Sequence, residues 1–386
     1  MKLTKIVYVE LEGTPYEWRL EESTFDEINL IVGKNAIGKS RTISIINGLA
    51  AILSRVKKIS WLSGNYQVEF DNMGKLIRYE LEYKDRVVTH EKLVVNGDTK
   101  LIRGKDGTGY IRAEELDIDG MKFQIPTDEV AAYSRRDMIQ HPFLEALNKW
   151  GSSNYLFYFG TDLGKSRLGL PFGESMVGLK SSLYLPKNNP DVIVYVLLHG
   201  LDKYGTRYAK TIIKDMRQIG YDIDMVGVET PSNLIIEDGP IPIGIFVKER
   251  DLPSNTNQTQ MYQGMFRALS VFIQINFAIL DSKPSCFMID DIGEGLDFAR
   301  SSSLIKCLIQ KSKKHKIQLI MTTNDRFVMN AVPLEYWIIL HRSGCRVRSF
   351  NDRNSHDMFE QFRYTGLNNF DLFTSNFFLK DNNNND

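Results

Sequence analysis

The apolar stretch Ile28-Asn-Leu-Ile-Val32 runs straight into Gly33-Lys-Asn-Ala-Ile-Gly-Lys-Ser40, and a helical pattern over Lys39–Val56 follows. A buried strand that turns sharply into a helix leaves few folds open. It aims the unpaired N–H groups of the helix N-terminus at whatever lies beyond the strand end. The two glycines let the backbone curl closely around a small anion. The spacing G-x-x-x-x-G-K-[ST] between strand and helix is that of a phosphate loop. Backbone groups of Gly33, Lys34, Asn35, Ala36, Ile37 and Gly38, with the helix start at Lys39, Ser40 and Arg41, are expected to hold a nucleotide. Lys39 would reach the β- and γ-phosphates, and the Ser40 hydroxyl would ligate Mg²⁺. ATP and Mg²⁺ are thus the expected ligands.

A second feature lies far along the chain. Cys286-Phe-Met-Ile-Asp290-Asp291 is an apolar strand ending in two carboxylates. Such a strand places charge at the carboxyl edge of a sheet, where α/β proteins bind ligands. Asp290 is the expected second metal residue, and Asp291 sits where a general base would orient an attacking water. The same pair would also suit a helix N-terminus without any chemistry; the phosphate loop upstream favours the catalytic reading.

Around these segments the pattern predicts an α/β protein. Residues 60–125 hold short alternating runs, Tyr66–Phe70, Ile77–Tyr83, Lys92–Val95 and Met121–Ile125, that read as an antiparallel meander. Helices are expected at Phe143–Trp150, Val192–Leu201, Lys203–Gln218 and Arg300–Lys314, with a nearly all-apolar, buried one at Met265–Leu280. Strands are expected at Ile317–Met321 and Tyr336–Leu340. The division that follows is an N-terminal lobe at 1–136, an insertion or lid at 137–257, a C-terminal lobe at 258–345 and an extension at 346–386.

Composition narrows the function classes. Lys and Arg total 48 and Asp and Glu total 48, so any nucleic-acid surface must be local. The longest unbroken apolar run, Val192–Leu198, is far short of the roughly 18 to 20 residues that span a bilayer. Cys286, Cys307 and Cys345 cannot make a disulfide framework, which fits a reducing cytoplasm and no membrane partner.

Together, the phosphate loop, Asp290-Asp-x-x-x-x-Leu-Asp297 and a glycine-initiated helix upstream resemble the ABC-type ATPases of the RecF/SMC class. The resemblance covers about residues 1–55 and 258–345. It implies a P-loop NTPase of ABC-ATPase head type, with a mixed sheet, the antiparallel meander and a helical or mixed insertion. It also implies a dimer that sandwiches ATP, the signature loop of one copy contacting the nucleotide held by the other. Met261-Tyr-Gln-Gly-Met265 falls at the signature, with Tyr262, Gln263 and Gly264 in it, and Asp297 falls at the D-loop aspartate. Tyr262 stands where the family has serine, so the trans contact would use helix N–H groups or Arg267. Asn324 falls at the switch histidine, and Asp291 replaces a glutamate. These departures imply slow hydrolysis. Gln140 would be the metal-contacting glutamine of the Q-loop.

A narrower likeness rests on Gln263–Ser270, Asp290–Asp297, Thr322–Asn330 and Tyr364–Asp371. These resemble the ATPases of prokaryotic anti-phage systems related to OLD, Septu and PARIS. There the ATPase senses and a separate nuclease or toxin acts. The roughly 45 residues after Leu340 are too few for an appended nuclease domain. The acid pairs Asp117/Asp119 and Asp222/Asp224 read better as turn residues than as a metal centre. Lys203, Arg207, Lys210, Lys214 and Arg217 share one helix face. They read first as a solvated face and second as a contact to DNA or RNA backbone. A DNA-clamping repair ATPase and a nucleotide-dependent scaffold without turnover are the alternative readings.

Overall fold

The computed structural model describes residues 1–55, 59, 61–114, 116, 118–169, 192–231, 241–281 and 286–379, without the side chains of 118 and 119. Asp117, the Asp119 side chain and the Asn-rich tail lie outside the described residues.

In chain order the elements are β1 (Lys2–Glu10), β2 (Trp18–Thr24), β3 (Ile28–Val32), α1 (Lys39–Leu53), β4 (Ser63–Asn72), β5 (Lys75–Lys84), β6 (Val87–Val95), β7 (Asp98–Arg103), β8 (Thr108–Ala113), β9 (Ile118–Gln124), α2 (Ala131–Ser134) and α3 (Pro142–Ser152). Then come β10 (Asn154–Tyr158), α4 (Ile193–Gln218), β11 (Ile223–Glu229), β12 (Gly244–Glu249), β13 (Thr256–Asn257), α5 (Gln263–Asp281), β14 (Cys286–Asp290) and α6 (Phe298–His315). The last group is β15 (Gln318–Thr322), α7 (Arg326–Ala331), β16 (Trp337–Ser343), β17 (Arg346–Phe350), α8 (His356–Arg363) and α9 (Asn369–Thr374). Two compact units result: Met1–Asn154 with Gln318–Asp386, and Tyr155–Ile317.

In the first unit the strand order is β15-β3-β16-β17-β2-β1-β4-β5-β6-β7-β8-β9. β15 and β16 flank β3 in parallel, while β1, β2 and the run from β4 to β9 are antiparallel. The sheet is therefore mixed. β3 is buried along its whole length, as a central parallel strand covered on both faces should be. α1, which follows it, buries Ile43, Ile46, Leu49 and Leu53, all at most 1% exposed. Each such side chain contributes about 1.5–3 kcal/mol on burial. α3 packs against α1 closely enough that a Cβ on Gly151 would stand 2.5 Å from the Ala50 carbonyl oxygen. The meander has the alternating burial its sequence predicts. It also contains β7 and β8, which were not expected; their short runs are too rich in polar residues to stand out. The aromatic C-terminal segment folds back on this unit, Asn369 donating to the Val332 carbonyl at 2.9 Å.

The core of the second unit is α5. Its apolarity and length would let it cross a membrane, yet 83% of that stretch is buried within the chain. Tyr208 of α4 donates to the α5 carbonyl of Ile273 at 2.7 Å. α4 is two helices, as expected, joined at a kink where Gly205 is non-helical (φ 55°, ψ −140°), a conformation open to glycine. Asp215 of α4 is buried against Asn276 (2.7 Å) and Lys311 (2.8 Å). β10 lies beside β14, and β11, β12 and β13 form a separate small sheet.

Candidate functional site

Beyond the carboxyl end of β3 the chain turns into α1 through Gly38 (φ 118°) and Ala36 (φ 61°). A Cβ on Gly38 would stand 3.0 Å from the Trp18 ring, so both conformation and space call for glycine there. α1 starts with no side-chain cap and no acid in its first turn. In contrast, Asp297 caps α6, Asp325 caps α7 and Asn368 caps α9. An uncapped helix of this length offers its first N–H groups, and its positive end, to an anion. Lys39 is only 6% exposed; its ammonium donates to the carbonyls of Gly33 (2.8 Å) and Lys34 (3.2 Å), which draws the loop around it.

The loop borders a cavity of about 390 Å³ lined by Asn35, Ala36, Gly38, Lys39, Ser40, Arg41, Trp18, Asn324 and Arg342. The structure thus brings Asn324, just past the end of β15, to the cavity beside this loop. Gly33 abuts the Leu340 carbonyl of β16, where a Cβ would lie 3.2 Å away. Gln140 is not among the lining residues. It ends a turn in which Asp137 accepts from the backbone N–H of Ile139 and Gln140, both at 2.8 Å.

Two lining residues, Trp18 and Arg342, were not foreseen, nor was Glu10, the partner of the lining Arg41. Arg41 lies 4.6 Å over the Trp18 ring and pairs with Glu10. Burial holds its guanidinium below the usual arginine pKa. Arg342, at the end of β16, reaches the Ala36 carbonyl at 3.4 Å. Trp18, Glu10 and Arg342 are single residues on three different strands, and no contiguous motif marks them.

In the second unit β14 is buried throughout and ends at Asp290, itself 7% exposed. Asp291 follows at φ 54°. Aspartate tolerates this left-handed conformation better than most side chains. The turn continues through Gly293 (φ 94°) and Gly295 (φ 77°) to Asp297. Asp297 accepts from the Arg300 backbone N–H at 2.9 Å and pairs with its guanidinium, and the backbone bond, above all, holds its carboxyl below the usual range.

The segment 261–267 lies against this turn. Tyr262 is 86% exposed, Gly264 is buried, and Arg267 is 7% exposed. Arg267 donates to the carbonyls of Thr161 (3.1 Å) and Glu294 (2.8 Å), and Gln263 reaches Thr161 at 3.2 Å. The Arg267 guanidinium therefore ties three segments of its own unit together. On α4, Lys203 and Arg217 have acidic partners, Asp281 and Asp224, while Arg207, Lys210 and Lys214 are exposed. Asp222 and Asp224 are held by Arg217 and Arg250.

The fold resembles that of SMC head domains. Solved structures similar to it include an SMC head bound to the C-winged helix domain of ScpA, 14% identical, covering 92% of this chain and 100% of that one at TM-score 0.50. An SMC head with an extended coiled coil, bound to the C-terminal domain of ScpA derived from Pyrococcus furiosus, is 11% identical, with 94% and 99% covered and TM-score 0.49. The SMC head domain from Thermotoga maritima is 12% identical, with 91% and 99% covered and TM-score 0.45. At these identities the likeness is one of fold. No family model and no curated protein matches the sequence.

Proposed function

We propose that this chain is an ATPase head that binds Mg-ATP at the Lys39 loop, pairs with a second copy around the nucleotide and hydrolyses it slowly. The observation that carries this reading is the cavity at the loop: an uncapped α1, a buried Lys39 folded onto the loop carbonyls, and the Ser40 hydroxyl on one wall. These groups suit a polyphosphate and its metal. Ser40 and Asp290 would hold Mg²⁺, which screens the phosphate charge when bound. Asp290 and Asp291 take their roles from their motif and from the buried strand that ends in them. Asn324 orients water or a phosphate oxygen but takes no proton, and Asp291 is shorter than a glutamate, so turnover is slow. The lobes 1–136 and 258–345, the insertion 137–257 and the extension 346–386 are the functional division in this reading.

Dimerisation in this reading uses Tyr262, Gln263, Gly264 and Asp297. Arg267 acts there as a positioning residue, because its donors are engaged within the chain. The similar SMC heads are bound to a separate protein, ScpA. By analogy this head governs a separately encoded effector, a nuclease or toxin in anti-phage defence. Nucleic-acid contact through α4 is the lesser branch, since Lys203 and Arg217 are already ion-paired.

The test is uptake of labelled ATP with magnesium, hydrolysis, and mass in solution, for the parent and for Lys39→Ala and Asp291→Ala. Binding lost in Lys39→Ala, and a nucleotide-bound dimer that persists without turnover in Asp291→Ala, are expected. A parent that takes up no ATP would falsify the reading. A nuclease or toxin that co-purifies supports the effector branch; steeply salt-sensitive DNA binding that requires ATP supports a DNA clamp instead.

A further inference from the structure

Arg342, Arg346 and Arg348 lie on the hairpin of β16 and β17, and Arg19 lies on β2 beside it. Arg19 pairs with Glu12 at 2.7 Å, Arg348 with Glu21 at 2.8 Å, and Arg346 approaches Glu21 at 3.9 Å. Arg342 differs. Its Nε donates to the Gly344 carbonyl in the hairpin turn at 2.8 Å, and its Nη1 reaches the Ala36 carbonyl at 3.4 Å. Among the described residues it has no carboxylate partner, and its Nη2 meets no acceptor. It nonetheless lines the cavity of the phosphate loop.

The cationic groups of that cavity are thus unequal. Arg41 is neutralised by Glu10. Lys39 is buried and bound by loop carbonyls. Arg342 is tethered at one end by a short bond to its own turn, and its free end rests on a long bond to the loop. A 3.4 Å contact is near the limit of a hydrogen bond and is readily exchanged for a better acceptor. The planar guanidinium fork suits phosphate oxygens and keeps its charge at any working pH.

We propose that Arg342 reads the length of the bound polyphosphate. Its Nη groups leave the Ala36 carbonyl for a terminal phosphate oxygen, so the site prefers a nucleoside triphosphate to the diphosphate. The basis is charge: a triphosphate carries more negative charge than a diphosphate, and Arg342 is an exposed-end lining cation with no acidic partner among the described residues. The inference rests on the nucleotide-binding reading above and adds to it a residue outside the loop motif.

Dissociation constants of Mg-ATP and Mg-ADP, measured by titration calorimetry on the parent, Arg342→Gln, Arg342→Lys and Lys39→Ala, test it. Arg342→Gln is expected to weaken ATP by about 10- to 150-fold, the range for a hydrogen bond to a charged group, and ADP by less than about threefold. Arg342→Lys should recover part of the ATP affinity through charge alone. Equal losses for the two nucleotides, or none, overturn the proposal. So does a glutamine variant that melts lower without nucleotide and loses both ligands, because Arg342 would then only brace the loop. A parent that binds neither nucleotide, like Lys39→Ala, defeats the nucleotide reading itself and this inference with it.

Discussion

Gly264 and Gly295 meet so closely that a Cβ on Gly264 would stand 2.3 Å from the Gly295 carbonyl oxygen. The start of α5 and the turn after β14 are thereby locked to one geometry. Gly295 is also closed from its own side, since a Cβ there would stand 2.5 Å from the Arg267 guanidinium. Gly264→Ala is expected to lower stability by about 1–3 kcal/mol, the usual cost of overpacking. Denaturant unfolding measures this, and the variant should fail to dimerise with ATP even where it remains folded.

Ala36 has φ 61°, a region that costs a non-glycine residue roughly 1–2 kcal/mol. Ala36→Gly relieves the strain, though greater freedom in the unfolded chain offsets part of the gain. The expected result is a melting temperature equal to or above the parent's, with ATP affinity retained. A fall in either would show that the alanine methyl has a role of its own.

Lys311 and Asp215 form a part-buried ion pair joined by Asn276. Lys311→Ala leaves Asp215, 4% exposed, without its cation. Breaking one side of a buried pair costs about 3–5 kcal/mol; the residual exposure of the lysine places the expected loss at the lower end. Unfolding in urea reads it directly, and Lys311→Arg should restore most of the stability.

Glu91 is fully buried, accepting from the Ala131 and Ala132 backbone and from the Tyr79 hydroxyl. Burial is the largest influence on it and holds its pKa above the ordinary carboxylate value. The folded chain therefore binds this proton more tightly than the unfolded chain. Its contribution to stability is complete below about pH 4.3 and is lost as pH rises through the raised folded value. Glu91→Gln removes that dependence. Between pH 4 and 7 the stability difference, variant minus parent, should rise with pH; a flat difference would count against the burial argument.

Asn324 lines the cavity beside the Lys39 loop but has no titratable group. In the proposed mechanism Asn324→His supplies one. Turnover should rise about tenfold, below the full 10²- to 10⁴-fold of an ideally placed base, with ATP affinity unchanged. Steady-state hydrolysis together with equilibrium binding separates the two effects.

The phosphate loop was legible because its chemistry is contiguous: strand, glycines, lysine and serine follow one another within a dozen or so residues. The fold, which resembles that of SMC heads, was legible for the same reason, through two short motifs. Trp18 and Arg342 were not, since each enters the cavity from a different strand by tertiary packing, nor was Glu10, which pairs with the lining Arg41 from a third. The kink of α4 was visible in Gly205, and its basic face was read first as solvated, but the partners of its two end cations were not legible. Asp281 and Asp224, which engage Lys203 and Arg217, come from elsewhere in the chain. Lys311 of α6 likewise finds its buried carboxylate partner, Asp215, on another helix.

β3 is hydrogen-bonded on either side to β15 and β16, strands encoded some three hundred residues later. During synthesis the loop-bearing strand consequently has both edges bare until the last part of the chain leaves the ribosome. Closing such distant pairings is slow, and open edges invite mispairing meanwhile. A truncation that removes β15 and β16 would therefore do more than shorten the protein: the cavity beside the Lys39 loop would never be assembled, however intact its own motif.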